Sequence, residues 1–179
     1  DGRGEIVCQK IAGYDACYLY EYFEAEEYVA QRLKAMANAT YNFKGNVDSL
    51  IDRTDREQGI IYAEKQRQAV LHSAQRQLLL LTGGPGTGKT TSVKGILSIF
   101  SMLSLDAVLA APTGRAAKRL SELTGEEATT IHRLLEAGFD KESGEMCFKK
   151  NERNMLNADA VVVDECSMVD IMLMRSLLA

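Results

Sequence analysis

No stretch of about eighteen consecutive apolar residues occurs in the chain, so no membrane-crossing helix is expected. The opening Asp1-Gly2-Arg3-Gly4 has neither an initiator Met nor the pattern of a secretion signal, so export is not expected and a cytoplasmic location is. Cysteine is sparse. Cys8, Cys17, Cys147 and Cys166 stand apart with no C-x-x-C pair, which argues against a zinc site or a disulfide framework and fits a reducing compartment. Positive charge is not in surplus either: the net charge is −4. Residues 1–60 hold 11 acids against 7 bases, while residues 61–179 hold 14 of each. A polycation that clings to nucleic acid through its overall field is therefore excluded, and any such contact must be local. No internal repeat is found. The 179 residues, 46 % of them hydrophobic, suffice for one domain with an appendage, or for a piece of something larger.

What is present centres on Gly83-Gly84-Pro85-Gly86-Thr87-Gly88-Lys89-Thr90. The apolar run Leu78–Leu81 precedes it, and apolar residues at 93, 96, 97, 100 and 103 follow it. A buried strand, a glycine turn and an amphipathic helix are the setting of a phosphate-binding P-loop. At ordinary glycine frequency the pattern arises by chance in a chain of this length roughly 0.6 % of the time. The chemistry explains the residue types. Glycines let consecutive backbone N–H groups wrap a polyphosphate, and the helix beginning near Lys89 turns its N-terminal dipole toward the same anion. Lys89 is expected to reach the β- and γ-phosphates, and the Thr90 hydroxyl to ligate Mg²⁺.

Composition shifts near residue 60. Nine of the twelve Tyr and Phe residues fall in the first 62 positions. Ile6–Cys8 and Ala16–Tyr20 read as short extended pieces, Glu21–Met36 as a helix with Ala25, Val29, Leu33 and Met36 on one face, and 38–45 as turn-rich. Val47, Leu50 and Ile51 suggest a short helix before the polar stretch 52–59. Residues 1–60 thus read as an accessory segment, and 61–179 as the main domain. In the latter, a helix at 63–76 leads into the P-loop strand, and a second strand follows at Ala107–Ala111. A basic helix comes next, then a helical piece at 130–137 and a β-hairpin from Phe139 to Lys149 turning at Ser143-Gly144. A third strand at Ala160–Val163 precedes a helix starting near Met168. Strands alternating with helices give an α/β fold: a parallel sheet with helices on both faces.

Two further segments belong with the P-loop. In Val161-Val162-Val163-Asp164-Glu165 an apolar strand ends in acids at the carboxyl edge of the sheet, where open α/β sheets bind ligands. Asp164 is placed to hold Mg²⁺ beside Thr90, and Glu165 to accept a proton from attacking water, which favours hydrolysis. In the second segment, Ala111-Pro112-Thr113-Gly114-Arg115-Ala116-Ala117-Lys118-Arg119-Leu120, Pro112 and Gly114 turn the chain and Thr113 caps the next helix. Arg115, Lys118 and Arg119 then share one helical face, with Ala116, Ala117 and Leu120 on the other. That arrangement suits either a phosphodiester or an ordinary solvated face.

The P-loop, the Ala-Pro-Thr-Gly-Arg-Ala-Ala-Lys-Arg-Leu segment, Thr-Ile-His-Arg-Leu-Leu from Thr130, and Val-Asp-Glu-Cys-Ser-Met-Val-Asp from Val163, in that order, resemble a RecD-type helicase. This is the exonuclease V alpha-subunit family, in the 5′-to-3′ branch of superfamily 1. The likeness covers roughly residues 60–179 and is weaker before them. It implies an ATP-driven, Mg²⁺-dependent motor with RecA-like domains that walks on single-stranded DNA in repair or recombination, alone or with other subunits of a nuclease–helicase complex. By the same resemblance, Gly84, Pro85, Gly86, Thr87, Gly88, Lys89, Thr90 and Thr91 hold nucleotide. Gln66 reads adenine, Lys89 and Glu165 are catalytic, and Thr90 and Asp164 hold the metal. Pro112, Thr113, Gly114, Arg115, Thr130 and His132 touch DNA, although His132 suits an interface between elements equally well. The hairpin at 139–150 falls where the family inserts a duplex-parting pin. The next family motif and the second RecA-like domain would lie beyond Ala179, so these residues alone are expected to bind nucleotide but hydrolyse little and unwind nothing. An AAA-type remodeller, a small-molecule kinase and a non-catalytic nucleotide-binding subunit remain alternatives.

Overall fold

The computed structural model describes residues 6–39, 46–84, 86–141 and 144–179. Pro85, Ser143 and most of the turn-rich stretch expected at 38–45 lie outside the described residues. The chain begins with an antiparallel hairpin of β1 (Ile6–Ile11) and β2 (Tyr14–Leu19). Its turn, Ala12-Gly13, has positive φ at both positions (50° and 88°), the mirror-image turn that matches strand twist. The two extended pieces expected there are therefore partners. Ala stands where Asn or Asp ordinarily announces such a turn, which is why the pairing does not show in the sequence. Helix α1 (Tyr20–Asn38) follows directly and buries Ala25 and Val29, one turn apart on one face.

Helix α2 (Val47–Gln58) continues through the polar stretch expected to end it. Asp52, Arg53 and Arg56 are exposed, while Val47, Ile51 and Thr54 are buried at helical spacing. The Thr54 hydroxyl donates to the Leu50 carbonyl at 3.0 Å, so its burial leaves no proton unsatisfied. Arg67 of α3 (Glu64–Ser73) bridges Asp48 at 3.2 Å and Asp52 at 2.9 Å, tying α3 to α2. The hydrogen bond that Arg67 donates to Asp52, together with Asp48, raises the Arg67 pKa above its ordinary value against the opposing effect of burial.

Helix α4 (Lys89–Met102) starts where the glycine pattern predicts and buries Ser92, Gly95, Ile96, Ile99 and Phe100. It shares one core with α2 and α3, built from Val47, Ile51, Tyr62, Val70, Ile96, Ile99 and Phe100. A three-stranded parallel sheet has β3 (Ala107–Ala111) between β4 (Ala128–Thr130) and β7 (Ala160–Val163). Ala107, Ala160 and Val162 face the first core. Ala110 and Val163 face a second, which includes Ile131 of α6 (Ile131–Leu134) and Leu173 of α7 (Ile171–Leu178). The period-2 alternation of strand side chains thus puts helices on both faces, as expected.

Two sequence expectations change. The run Leu78–Leu81 joins no sheet among the described residues, and Leu80 is 76 % exposed. Leu79 alone of the run packs on the first core, and leucine lacks the β-branched preference that favours strands. In its place the sheet gains the three-residue β4, which takes Thr130 from the expected helix at 130–137 and leaves it shortened to α6. The basic helix α5 (Gly114–Thr124) lies where expected, and a hairpin of β5 (Ala137–Phe139) and β6 (Met146–Phe148) begins two residues ahead of the one expected at 139–149.

Gly95 is a contact point between α4 and the segment leading into α3. A Cβ there would lie 2.6 Å from the Tyr62 hydroxyl oxygen and 2.9 Å from both the Tyr62 ring and a Val70 methyl. Overpacking of this kind costs about 1–3 kcal/mol, set against a helix-propensity gain of up to about 1 kcal/mol. Gly95→Ala is expected to lower the urea midpoint at unchanged m-value, and Gly95→Val to lower it further; a midpoint equal to or above wild type would show that this contact yields freely.

Candidate nucleotide and nucleic-acid site

The parallel register decides which residues meet. Ala110 pairs with Val163 and Ala111 with Thr130, so all three strands end at one edge. Past β3 come Pro112, Thr113, Gly114 and Arg115; past β4, Ile131 and His132; past β7, Asp164 and Glu165. The Asp164 N–H donates to the Ala110 carbonyl at 3.0 Å, extending the β3–β7 ladder to the first acid. One Asp164 carboxylate oxygen accepts from the Glu165 N–H at 2.9 Å, which fixes the direction of the side chain. Glu165 is exposed and left-handed, with φ of 52°. A non-glycine residue in that region carries strain of about 1 kcal/mol or more, and such outliers gather at functional sites.

Thr113 and Thr130 both act as helix caps. The Thr113 hydroxyl oxygen accepts from the Ala116 N–H at 3.2 Å at the start of α5, and that of Thr130 accepts from the Arg133 N–H at 3.1 Å at the start of α6. Each cap satisfies an amide that the first helical turn leaves unpaired. Arg115, Lys118 and Arg119 are exposed, while Ala117 and Leu120 are buried, as the helical spacing predicts. His132 is half-buried with its ring centroid 5.9 Å from that of Phe148, so it packs α6 against β6. The interface reading left open for this histidine describes its observed surroundings.

The P-loop closes on itself through two side chains. The Lys89 ammonium donates to the carbonyls of Gly83 and Gly84, the latter at 2.8 Å, and the Thr87 hydroxyl donates to Gly84 at 2.9 Å. Gly88, at φ of 80°, precedes the first turn of α4, in which Lys89 and Thr90 are half-buried. Beside the loop, a cleft of about 190 Å³ is lined by Lys65, Gln66, Leu81, Thr82, Gly83, Thr87, Lys89 and Ser92. Gln66 spans it: its carbonyl oxygen accepts from the Ala63 N–H at 2.9 Å, and its amide nitrogen lies 3.4 Å from the Gly88 carbonyl. Lys65 and Ser92 were not singled out in the sequence. Lys65 adjoins Gln66, and buried Ser92 reaches toward the Gly88 carbonyl at 3.4 Å. Their only sequence signal is adjacency to a motif residue on a helix.

A cleft beside a glycine loop and a helix N-terminus, together with an acid-tipped parallel strand, defines a P-loop α/β nucleotide-binding domain. The family profile described as AAA domain matches residues 66–179, and the chain belongs to that family. Among similar proteins, the ATP-dependent RecD2 DNA helicase of Deinococcus radiodurans is 38 % identical over 163 residues, covering 90 % of this chain and 22 % of that protein. The RecBCD enzyme subunit RecD of Mycolicibacterium smegmatis is 35 % identical over 187 residues, covering 92 % of this chain and 32 % of its own. The corresponding subunit of Haemophilus influenzae is 30 % identical, covering 92 % and 29 %. These similarities bear out the RecD-type resemblance, and they extend it: coverage of nine-tenths of the chain takes in part of the first sixty residues. The chain spans between about a fifth and a third of the length of these relatives. Among the described residues, no helix is long and apolar enough to cross a membrane.

A side chain at Gly88 meets two obstacles, the left-handed backbone and the Gln66 amide nitrogen in its path. Gly88→Ala is expected to weaken binding of a fluorescent ATP analogue at least tenfold, and Gly88→Ala with Gln66→Ala to recover only part of the loss. Full recovery in the double variant would mean that the backbone conformation at 88 does not matter for the loop.

Proposed function

We propose that the chain is the nucleotide-binding part of an ATP-dependent DNA helicase that moves 5′-to-3′ along single-stranded DNA in repair or recombination. The observation that carries this reading is the shared edge: the acid pair, the Thr113–Arg115 turn and the Thr130 cap all leave the sheet on the same side. In this reading residues 1–60 are an accessory segment, and residues 61–179 belong to the first RecA-like motor domain. The hairpin within 139–150 serves as a pin beside the duplex junction. Two of the relatives are RecBCD subunits by name and a third is a RecD2 helicase, so partner subunits of a nuclease–helicase complex are proposed as one setting for the whole protein.

ATP binds with its phosphates in the loop formed by Gly84, Pro85, Gly86, Thr87 and Gly88, against the α4 N-terminus. Lys89 exchanges its Gly83 and Gly84 carbonyl partners for the β- and γ-phosphate oxygens, replacing neutral acceptors with charged ones. Thr90 and Thr91 complete the phosphate contacts. The Thr90 hydroxyl and the Asp164 carboxylate are hard oxygen donors and fit Mg²⁺, which supplies charge neutralisation at the β- and γ-phosphates when bound. Glu165 takes the proton of the attacking water. Gln66 turns its carboxamide from the Ala63 amide to the adenine edge, where it matches the N6 and N7 positions. Pro112, Thr113, Gly114 and Arg115, with Thr130 and His132, lie along the DNA backbone. The two capping hydroxyls accept within their helices and so contribute to DNA as O–H donors.

In the full-length protein, Lys89→Ala is expected to abolish unwinding of a duplex with a 5′ single-stranded tail; retained unwinding would exclude the motor assignment. Glu165→Gln is expected to keep ATP-analogue affinity while lowering DNA-stimulated hydrolysis about 10²–10⁴-fold, the usual worth of a general base. Arg115→Ala is expected to weaken single-stranded DNA binding evenly across sequences and to reduce the slope of log affinity against log salt by about one. An unchanged salt slope would remove Arg115 from the DNA track.

A further inference from the structure

We propose that Cys8 and Cys17 are a redox-active dithiol that closes reversibly into a disulfide across the N-terminal hairpin. The two residues are direct cross-strand partners in the β1–β2 ladder, and their sulfurs lie 2.9 Å apart. Both are free thiols and exposed, so an oxidant reaches them without unfolding the hairpin.

The register makes the pairing specific. A two-residue turn is closed by a hydrogen-bonded pair, here Ile11 and Tyr14. Alternation along an antiparallel ladder then makes Cys8–Cys17, three pairs further on, a non-hydrogen-bonded pair. At such pairs the Cα atoms approach to about 4.5 Å and the side chains are at their closest. That separation lies within the range a disulfide spans, about 4.4–6.8 Å, so the bond closes without strand movement. Exposed disulfides are the readily reduced kind, suited to a switch rather than to a permanent staple. In the reduced pair, the hydrogen bond to Cys17, more than burial, pushes the Cys8 thiol above its ordinary pKa.

The step balances with a low-molecular-weight disulfide such as oxidised glutathione as the two-electron acceptor. The thiolate of one cysteine attacks a glutathione sulfur, forming a mixed disulfide and releasing one glutathione thiolate. The thiolate of the other then attacks the protein sulfur of that mixed disulfide and expels the second glutathione. Two protein thiols become one disulfide, one oxidised glutathione becomes two reduced ones, and both protons pass to the departing thiolates.

The hairpin is tied to the rest of the chain, so the bond would not form in an isolated appendage. Tyr18 packs against Phe23 of α1 with ring centroids 6.0 Å apart. In turn α1 docks on α7: Tyr28 donates to the Leu178 carbonyl at 3.3 Å, and Arg32 donates to the same oxygen at 3.1 Å.

The test treats the full-length protein with oxidised glutathione, blocks remaining thiols and maps tryptic peptides without reduction. Lys10 is the only tryptic site between the two cysteines, so their bond appears as a cross-linked pair of peptides. The expected result is a Cys8–Cys17 cross-link that dithiothreitol removes, with little glutathione remaining on either residue. Cys8→Ser is expected to trap glutathione on Cys17, and Cys17→Ser to trap it on Cys8. Stable glutathione adducts in the wild type, cross-links mainly between molecules, or equal pairing of Cys8 with Cys147 or Cys166 would each overturn the proposal.

Discussion

The parallel register between β3 and its two neighbours is the constraint on which the rest of the molecule depends. Because Ala110 faces Val163 and Ala111 faces Thr130, three chain segments distant in sequence are released at the same height. Each then turns in a different way: a capped helix after β3, a capped single turn after β4, and a strained residue with a 3₁₀ turn (Cys166–Met168) after β7. A shift of one residue in either pairing would exchange the two faces of that strand. In the β3–β7 pairing, such a shift would turn Val163 out of the α6–α7 core and displace Asp164 from its place beside Ala110.

The two cores divide the labour of holding that edge. The larger one wedges α2, α3 and α4 against one face of the sheet, and its tightest point is Gly95 beneath Tyr62. The smaller one clamps α6 and α7 to the other face through Ile131, Leu135 and Leu173. Helix α7 is itself started by Asp170, whose carboxylate accepts from the Leu173 N–H at 2.8 Å. The acid pair therefore sits between a well-packed strand and a well-capped helix, with only a short turn between them.

Much of this was legible in the residues, for identifiable reasons. The start of α4 at Lys89, the Thr113 cap and the buried Ala117 and Leu120 follow from local rules that tertiary packing did not override. The strands at Ala107–Ala111 and Ala160–Val163 are short, wholly apolar and set between turns. What was hidden depended on partners. At Ala128–Thr130 strand and helix cap overlap in three residues, too few for any periodicity to register. The polar half of α2 is helical because Thr54 is buried against α4 and Arg67 reaches back to Asp52, neither visible in a local window. Leu78–Leu81 looked like a buried strand because an apolar run does not reveal what lies beside it. At the site, the motif residues were identified from their letters, whereas the Lys89 clasp onto Gly83 and Gly84, the Gln66 bridge and the neighbouring Lys65 and Ser92 required coordinates.

The left-handed backbone at Glu165 bears on how variation at that position should be interpreted. Glycine would relax the turn, and asparagine would tolerate it better than most residues, so stability alone favours replacing the glutamate. Threonine, valine and isoleucine are disfavoured there whatever their chemistry, because branching at Cβ crowds that region of backbone space. If Glu165 has the proton-accepting role proposed for it, a survey of substitutions at 165 would superimpose two filters, one steric and one protonic. Only the glycine and asparagine replacements, compatible with the turn yet lacking a carboxylate, would separate them.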